Sequence, residues 1–189
     1  MSGKAMPVKR WREFHRTPFE NIHQTIVDNL NFASHSVHGD FYGLTDPDII
    51  DIFIAKHQAG LVVGIVADKT QSAGAKQKIQ LQRAVDAGVP VTITTAPTGQ
   101  INHSKHVCID IVLGADANLS YALYGSLNLS ASGELQENFI MLDNDPTICT
   151  DLYNQYLEAQ AYGAQHASWQ LHPATGTAHV LTTPPASLA

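Results

Sequence analysis

A continuous apolar run of seven residues, Leu61 to Ala67, limits the possible folds more than any other part of the sequence. Such a run is typical of a strand that is covered on both faces. Helical patterns flank it: one begins at Asp46-Pro47 and ends before Gly60, and the other spans about Ala75 to Ala87. A short strand at Val91 to Thr94 follows the second helix. This order predicts parallel strands that are joined by crossover helices.

The rest of the chain extends the same sheet. Phe19 to Ala33 carries apolar residues three or four positions apart, which predicts a first helix, and Ser36 to Tyr42 alternates as a strand does. In the second half we expect three further strands and a last amphipathic helix from Pro146. The three strands are His106–Leu113, Leu119–Tyr124 and Glu137–Leu142. The expected fold class is α/β, with a mixed β-sheet sandwiched between helices.

The chain length of 189 residues suits one domain with a single core. We divide it into a basic N-terminal arm (1–18), one domain (19–165) and an irregular C-terminal tail (166–189). The tail is assigned because Pro, Thr, Ala and Ser dominate it and no Lys, Arg, Asp or Glu occurs from His172 onward.

The net charge of −6 conceals an asymmetry along the chain. All 11 Lys and Arg lie in residues 1–105, whereas residues 106–189 carry 8 acidic residues and no basic one. An anionic partner would therefore have to bind through the first segment. No apolar stretch is long enough for a membrane span or a signal peptide, so we expect a cytoplasmic protein without stable membrane association. Cys108 and Cys149 lack a metal-type spacing and are expected to be buried thiols.

The residues with the clearest chemical pattern follow the spacing H-x-K-(x)4-D. They are His103, Lys105 and Asp110, and Gly125-Ser126-Leu127-Asn128 begins fifteen residues after Asp110. In a strand, residues two apart point to the same face, so we expect His103 and Lys105 side by side and His106 on the other face. A metal site made of His103, His106 and Asp110 is disfavoured for the same reason.

A neutral imidazole beside an ammonium group suits attack on a phosphodiester. The Lys105 ammonium would neutralise the nonbridging oxygens while a nitrogen of His103 attacks phosphorus. Ser126 and Asn128 are predicted to bind the same oxygens as hydrogen-bond donors. Glu137 is predicted to accept from the other imidazole nitrogen, and Glu134 is the alternative for that role. This chemistry requires neither a metal nor a cofactor.

These residues resemble the phospholipase D superfamily, whose signature is H-x-K-(x)4-D followed by Gly-Ser-x-Asn and then a Glu. The resemblance covers about residues 20–160 and includes Glu137-Asn138. With a single motif, the chain is most similar to the small bacterial endonucleases of that superfamily. The resemblance implies a phospholipase D-like catalytic domain in which two subunits form one site. His103 is then the nucleophile, and Asp110 is a motif residue with a supporting role.

The sequence thus predicts a metal-independent phosphodiesterase, most plausibly a homodimeric nuclease that hydrolyses DNA or RNA through a phosphohistidine. Two alternatives remain: cleavage or transphosphatidylation of a phospholipid, and a nucleic-acid-binding module without turnover. For His35, His38 and Tyr42 we favour structural roles over contact with substrate.

Overall fold

The structure is a computed structural model that describes residues 9–111, 120–130, 133 and 135–174. Within these residues seven strands form one sheet, and five helices pack against it. The strands are β1 (Arg12–Arg16), β2 (Ser36–Phe41), β3 (Val62–Asp68), β4 (Val91–Thr94), β5 (Lys105–Ile109), β6 (Tyr121–Gly125) and β7 (Phe139–Asp143). The helices are α1 (Ile22–Phe32), α2 (Pro47–Gln58), α3 (Lys69–Ser72), α4 (Ala75–Asp86) and α5 (Pro146–His166).

The strand order in the sheet is β1-β7-β6-β5-β2-β3-β4. β2, β3 and β4 are parallel and are joined by crossover helices, as the sequence predicts. Helix α2 connects β2 to β3, and α3 and α4 connect β3 to β4. The other neighbouring strands are antiparallel. The predicted mixed sheet is confirmed. The hairpin loop expected between β5 and β6, at residues 114–118, lies outside the described residues.

Strand β1 is not anticipated by the sequence, which places its residues in the N-terminal arm. Its residues, Arg-Glu-Phe-His-Arg, show no apolar alternation, so a strand pattern cannot be read from them. It forms because it pairs with β7 at the edge of the sheet. The backbone NH of Trp11 donates to Asn144 Oδ1 at 2.7 Å, and Arg12 Nε donates to Asp143 Oδ2 at 2.5 Å.

Helices α2 and α5 begin where the sequence predicts a helix start. The Asp46 side chain accepts from the backbone NH of Asp48 and Ile49, and Pro47 occupies the first turn of α2. In α5 the Asp145 side chain is the cap, and Pro146 occupies the first turn. Helix α1 begins later than expected, at Ile22, because the Asn21 side chain caps it. The short helix α3 is not predicted; Asp68, at the end of β3, caps it.

The two faces of the sheet are covered by different kinds of side chain. One face is apolar and packs on α1, α2 and α4 through residues such as Phe41, Ile65 and Val107. The other face lies under α5, where the ring centroid of buried His38 is 5.1 Å from that of Tyr153 and 5.0 Å from that of Tyr156. Helices therefore cover both faces, as an α/β sandwich requires.

Both cysteines are buried and free, as predicted. Cys108 lies on β5 and Cys149 on α5, in one small apolar cluster between the sheet and this helix. Burial raises the pKa of both thiols, Cys149 to about 12. Low thiolate content at neutral pH makes them packing groups rather than nucleophiles.

Candidate active site

The motif residues approach one another because several strands end at the same edge of the sheet. Lys105 at the start of β5 pairs with Phe41 at the end of β2. Gly125 at the end of β6 pairs with Ile140 near the start of β7. The segment before β5, the loop after β6 and the segment before β7 consequently meet at this edge, and they carry His103, Asn128 and Glu137 respectively.

His103 is exposed and lies two residues before β5 rather than within it. Lys105 Nζ donates to the His103 carbonyl oxygen at 3.0 Å, so the two residues are adjacent. Partial burial lowers the pKa of the Lys105 ammonium from its usual value. His106 is buried against α5, on the opposite side from Lys105, as the strand alternation predicts.

Tyr42, for which the sequence favours a packing role, contacts both His103 and Lys105. Its ring centroid is 4.5 Å from that of His103 and 5.0 Å from Lys105 Nζ. Its backbone NH donates to the Ser104 carbonyl oxygen at 2.7 Å, which extends the pairing of β2 with β5. The position of Tyr42 at the end of a predicted strand was the available signal, because strand ends form the edge at which sites are built.

Asn128 lies beside Gly43, the residue after Tyr42. A Cβ atom on Gly43 would lie 3.1 Å from the Asn128 side chain, so glycine allows this close approach. The Leu129 NH donates to the Gly43 carbonyl oxygen at 3.0 Å and anchors the loop after β6. Asn128 Oδ1 is buried and has no hydrogen-bond partner within the described part of the chain. The Asn128 amide therefore lies against Gly43, one residue along the chain from Tyr42.

Ser126 uses its hydroxyl group within the protein. Its Oγ donates to Asn138 Oδ1 at 3.1 Å and accepts from the Phe139 NH at 3.1 Å, which joins β6 to β7. In this arrangement its proton points at Asn138 rather than into the site. The edge of the sheet thus supplies two partners for Ser126, and its role as a phosphate donor stays a prediction.

Glu137 is exposed and lies two residues before β7, at the same edge. Within the described residues, its carboxylate forms no hydrogen bond or ion pair with His103. Glu134 lies outside the described residues. The pairing of either carboxylate with the imidazole stays a prediction.

Asp110 is not brought to this edge. It follows β5 at the opposite end, where it accepts hydrogen bonds from the backbone NH groups of Ser34, His35 and Ser36 at 2.7–3.0 Å. Burial of the Asp110 carboxylate opposes its ionisation, but these hydrogen bonds outweigh burial and lower its pKa. Its φ of 53° lies in the left-handed region, which Asp and Asn tolerate better than most residues. Asp110 therefore fixes the start of β2, far along the strand from His103.

His35 lies at the same far end as Asp110, and burial lowers the pKa of His38 to about 4. Both residues therefore lie away from His103 or inside the core, in agreement with the structural roles that the sequence favours.

One group of metal-type ligands occurs in the described part of the chain, at the start of α2. His23, Asp46 and Asp48 place ligand atoms within 4.8 Å of one another. His23 Nε2 is 3.1 Å from Asp46 Oδ2, an arrangement that an ion pair also explains. None of these residues belongs to the HxK motif, and the motif residues form no metal-ligating group of their own within the described residues.

An exposed His-x-Lys pair at the edge of a mixed sheet, followed by Gly-Ser-x-Asn, defines a phospholipase D-like protein. The family model for "Cardiolipin synthase, PLD-like domain" matches residues 26–160, more than two thirds of the chain. The chain belongs to this phospholipase D-like family. A search of curated proteins found no match.

Solved structures show the same fold. Nuc from Salmonella typhimurium, a phospholipase D family member, is 20% identical over 82% of this chain and 97% of that chain, with a TM-score of 0.71. NucT from Helicobacter pylori is 18% identical over 82% of this chain and 98% of that chain, with a TM-score of 0.68. A phosphatidylserine synthase from Haemophilus influenzae is 14% identical over 82% of this chain and 40% of that chain, with a TM-score of 0.60. Family membership supports a phosphodiesterase-type function.

No helix among the described residues is long and apolar enough to cross a lipid bilayer.

Proposed function

We propose that this protein is a metal-independent phosphodiesterase that acts as a nuclease, in which His103 is the nucleophile. The observation that carries the proposal is the pairing of exposed His103 with Lys105 beside Tyr42 and Asn128 in a phospholipase D-like fold. An imidazole that is accessible to substrate and a cation next to it are the two groups that attack on a phosphodiester requires.

The reaction proceeds in two displacements at phosphorus. A ring nitrogen of His103 forms a bond to phosphorus while the bond to the leaving oxygen breaks, and an acid supplies a proton to that oxygen. Water then attacks the phosphohistidine, loses a proton to the same group and releases His103. Lys105 Nζ donates to one protein oxygen and has three hydrogens, so two remain for the nonbridging oxygens. We expect the Asn128 amide to bind the same oxygens.

A second subunit supplies the acid. The nucleophile must be neutral while the acid carries a proton, and one imidazole cannot be both at once. The described edge has one exposed imidazole, that of His103, next to Lys105. We therefore propose a symmetric homodimer in which His103 of the second subunit protonates the leaving oxygen.

Nucleic acid is the proposed substrate, and a phospholipid is the second candidate. The basic residues lie in the first 105 residues, which also carry Tyr42, His103 and Lys105. Part of that charge is neutralised, because Arg10 pairs with Asp145 and Arg12 with Asp143. The lipid candidate is favoured by the description of the matching family and by the likeness to a phosphatidylserine synthase.

The test incubates the purified protein in excess EDTA with labelled single- and double-stranded DNA, RNA and phosphatidylcholine vesicles. We expect cleavage of a nucleic acid, unaffected by EDTA, and its loss in His103→Asn. His35→Asn is the matched control, because it removes another exposed imidazole at the far end of β2. Cleavage of the lipid alone would select the second candidate. Binding of nucleic acid without cleavage, or activity that needs added zinc or magnesium, would refute the proposed mechanism.

A further inference from the structure

Asn102, the residue before His103, is held by two buried carboxylates. Its backbone NH donates to Asp68 Oδ2 at 2.7 Å, and its Nδ2 donates to Asp40 Oδ1 at 2.6 Å. Its own Oδ1 accepts from Ser104 Oγ at 2.9 Å. The residues on both sides of His103 are thereby tied to each other, and the segment is tied to β2 through Asp40 and to β3 through Asp68.

A second path leads from Asp68 to His103 along different residues. Asp68 Oδ1 accepts from the Gln71 NH at 2.9 Å, and Gln71 Nε2 donates to the Tyr42 hydroxyl at 2.8 Å. The Tyr42 ring packs against that of His103. The buried carboxylate of Asp68 thus restrains both the backbone next to His103 and, through the second path, the position of the His103 ring.

Burial of the Asp40 and Asp68 carboxylates opposes folding, because both groups lose their hydration. Asp40 is 1% exposed and Asp68 is fully buried, and neither forms an ion pair within the described residues. A buried carboxylate is tolerated when hydrogen bonds replace its hydration. Burial raises the pKa of Asp40 to about 6, while its bond to Asn102 opposes that rise. The bonds to residue 102 are therefore a principal compensation for both acids.

We propose that Asn102 is a positioning residue, which bridges Asp40 and Asp68 so that His103 and Lys105 are held in place for attack on phosphorus. The inference rests on the proposed function and adds to it a residue outside the H-x-K-(x)4-D motif. An error of about 1 Å in the position of a nucleophile costs on the order of 100-fold in rate.

The kinetic test compares Asn102→Ala with Gln170→Ala. Gln170 is a suitable control, because its side-chain amide makes three hydrogen bonds, with Ile93 and Gly163, away from the candidate site, whereas that of Asn102 makes two. With a soluble phosphodiester such as bis(p-nitrophenyl) phosphate, Asn102→Ala should lower kcat by about 10- to 100-fold and change KM little. Gln170→Ala should keep kcat even where its melting temperature falls equally. Equal kcat losses in both variants, or none in Asn102→Ala, would overturn the proposal.

Asn102→Asp supplies a pH readout that a purely structural role would not give. At high pH the new carboxylate repels Asp40, whereas a shared proton at lower pH restores a hydrogen bond between them. The ratio of variant to wild-type kcat should rise several-fold between pH 8 and pH 6, while the ratio for Asn102→Ala stays flat. A flat ratio for Asn102→Asp would contradict the bridge. Other titratable groups near Asp40 come from β3 and β5 and from α5: Asp68, His106, Cys108 and Tyr156.

Hydrogen exchange separates this inference from the proposed function. Asn102→Ala should accelerate amide exchange in a peptide that spans residues 100–105, and Gln170→Ala should not, whether or not the protein cleaves a phosphodiester. Unchanged exchange in Asn102→Ala would overturn the positioning role even in an active enzyme. If Asn102→Ala does not fold, Gln71→Ala at a half-exposed position takes its place, with an expected kcat loss of about threefold or more from the freed Tyr42 ring.

Discussion

At the scale of single residues, Tyr42 connects the two groups of the proposed chemistry. His103 lies before the strand and is exposed, so little core packing restrains its ring. The contact with Tyr42 supplies a flat apolar surface, and the Lys105 ammonium lies over the same ring at 5.0 Å. A cation above an aromatic ring gains about 0.5–1 kcal/mol at an exposed site. Tyr42 therefore restricts both groups without using a hydrogen bond that a phosphate oxygen requires.

Asp110 gives a prediction for stability rather than for turnover. Asp110→Asn keeps the side-chain size and tolerates the positive φ, but it leaves one acceptor oxygen for several NH groups of residues 34–36. We expect the free energy of unfolding at pH 7 to fall by about 1–3 kcal/mol. Urea unfolding measures this, and turnover per folded molecule should stay within about threefold of wild type.

The pH dependence of that difference has a definite sign. Because folding lowers the pKa of Asp110, its carboxylate stabilises the wild type above the unfolded pKa of about 3.9, and this contribution is lost as the pH falls through the folded pKa. The difference in the free energy of unfolding between wild type and Asp110→Asn should therefore become smaller when urea unfolding is repeated near pH 3. An equal difference in the free energy of unfolding at both pH values would show that the carboxylate charge does not stabilise this end of β2.

At the scale of secondary structure elements, the contact between α5 and β4 depends on Gly163. A Cβ atom there would lie 2.6 Å from the Ile93 carbonyl oxygen, which belongs to a strand and cannot move aside easily. Ala in place of Gly normally stabilises a helix interior by about 0.5–1 kcal/mol. At this position steric overlap opposes that gain, because α5 would have to shift away from the sheet.

Gly163→Ala should consequently lower the free energy of unfolding by about 1–3 kcal/mol, the reverse of the helix-propensity effect. Gln165→Ala, at an exposed position of the same helix, should leave stability within about 0.5 kcal/mol of wild type. Chemical denaturation of the two variants side by side measures the difference. A more stable Gly163→Ala protein would mean that α5 does not approach β4 this closely.

At the scale of the whole molecule, the proposed shared site predicts how mixed dimers behave. Wild-type and His103→Asn subunits with different affinity tags are co-expressed, and the heterodimer is purified through both tags. One composite site retains either the nucleophile or the acid, so we expect the heterodimer to lose nearly all activity, like the double variant. Half of the wild-type activity would indicate a complete site in each subunit. An active monomer in sedimentation experiments would refute the shared site.

The sequence by itself determined the class of the fold and the family to which the motif belongs. The apolar run from Leu61 to Ala67 and the helical periodicities on both sides of it are local patterns, and the parallel strands follow from them. Strand alternation also separated half-buried Lys105 from buried His106. Such properties depend on neighbours along the chain, so spacing alone reveals them.

Tertiary structure decided which of those residues meet. Asp110 belongs to the motif but lies at the other end of β5, because this five-residue strand begins at Lys105 and ends at the residue before Asp110. Ser126 donates to Asn138, a partner that only the pairing of β6 with β7 supplies. Tyr42 and Asn102 enter the site through contacts across strands that are distant in sequence. Long-range pairing sets these distances, and a single sequence carries no local signal for it.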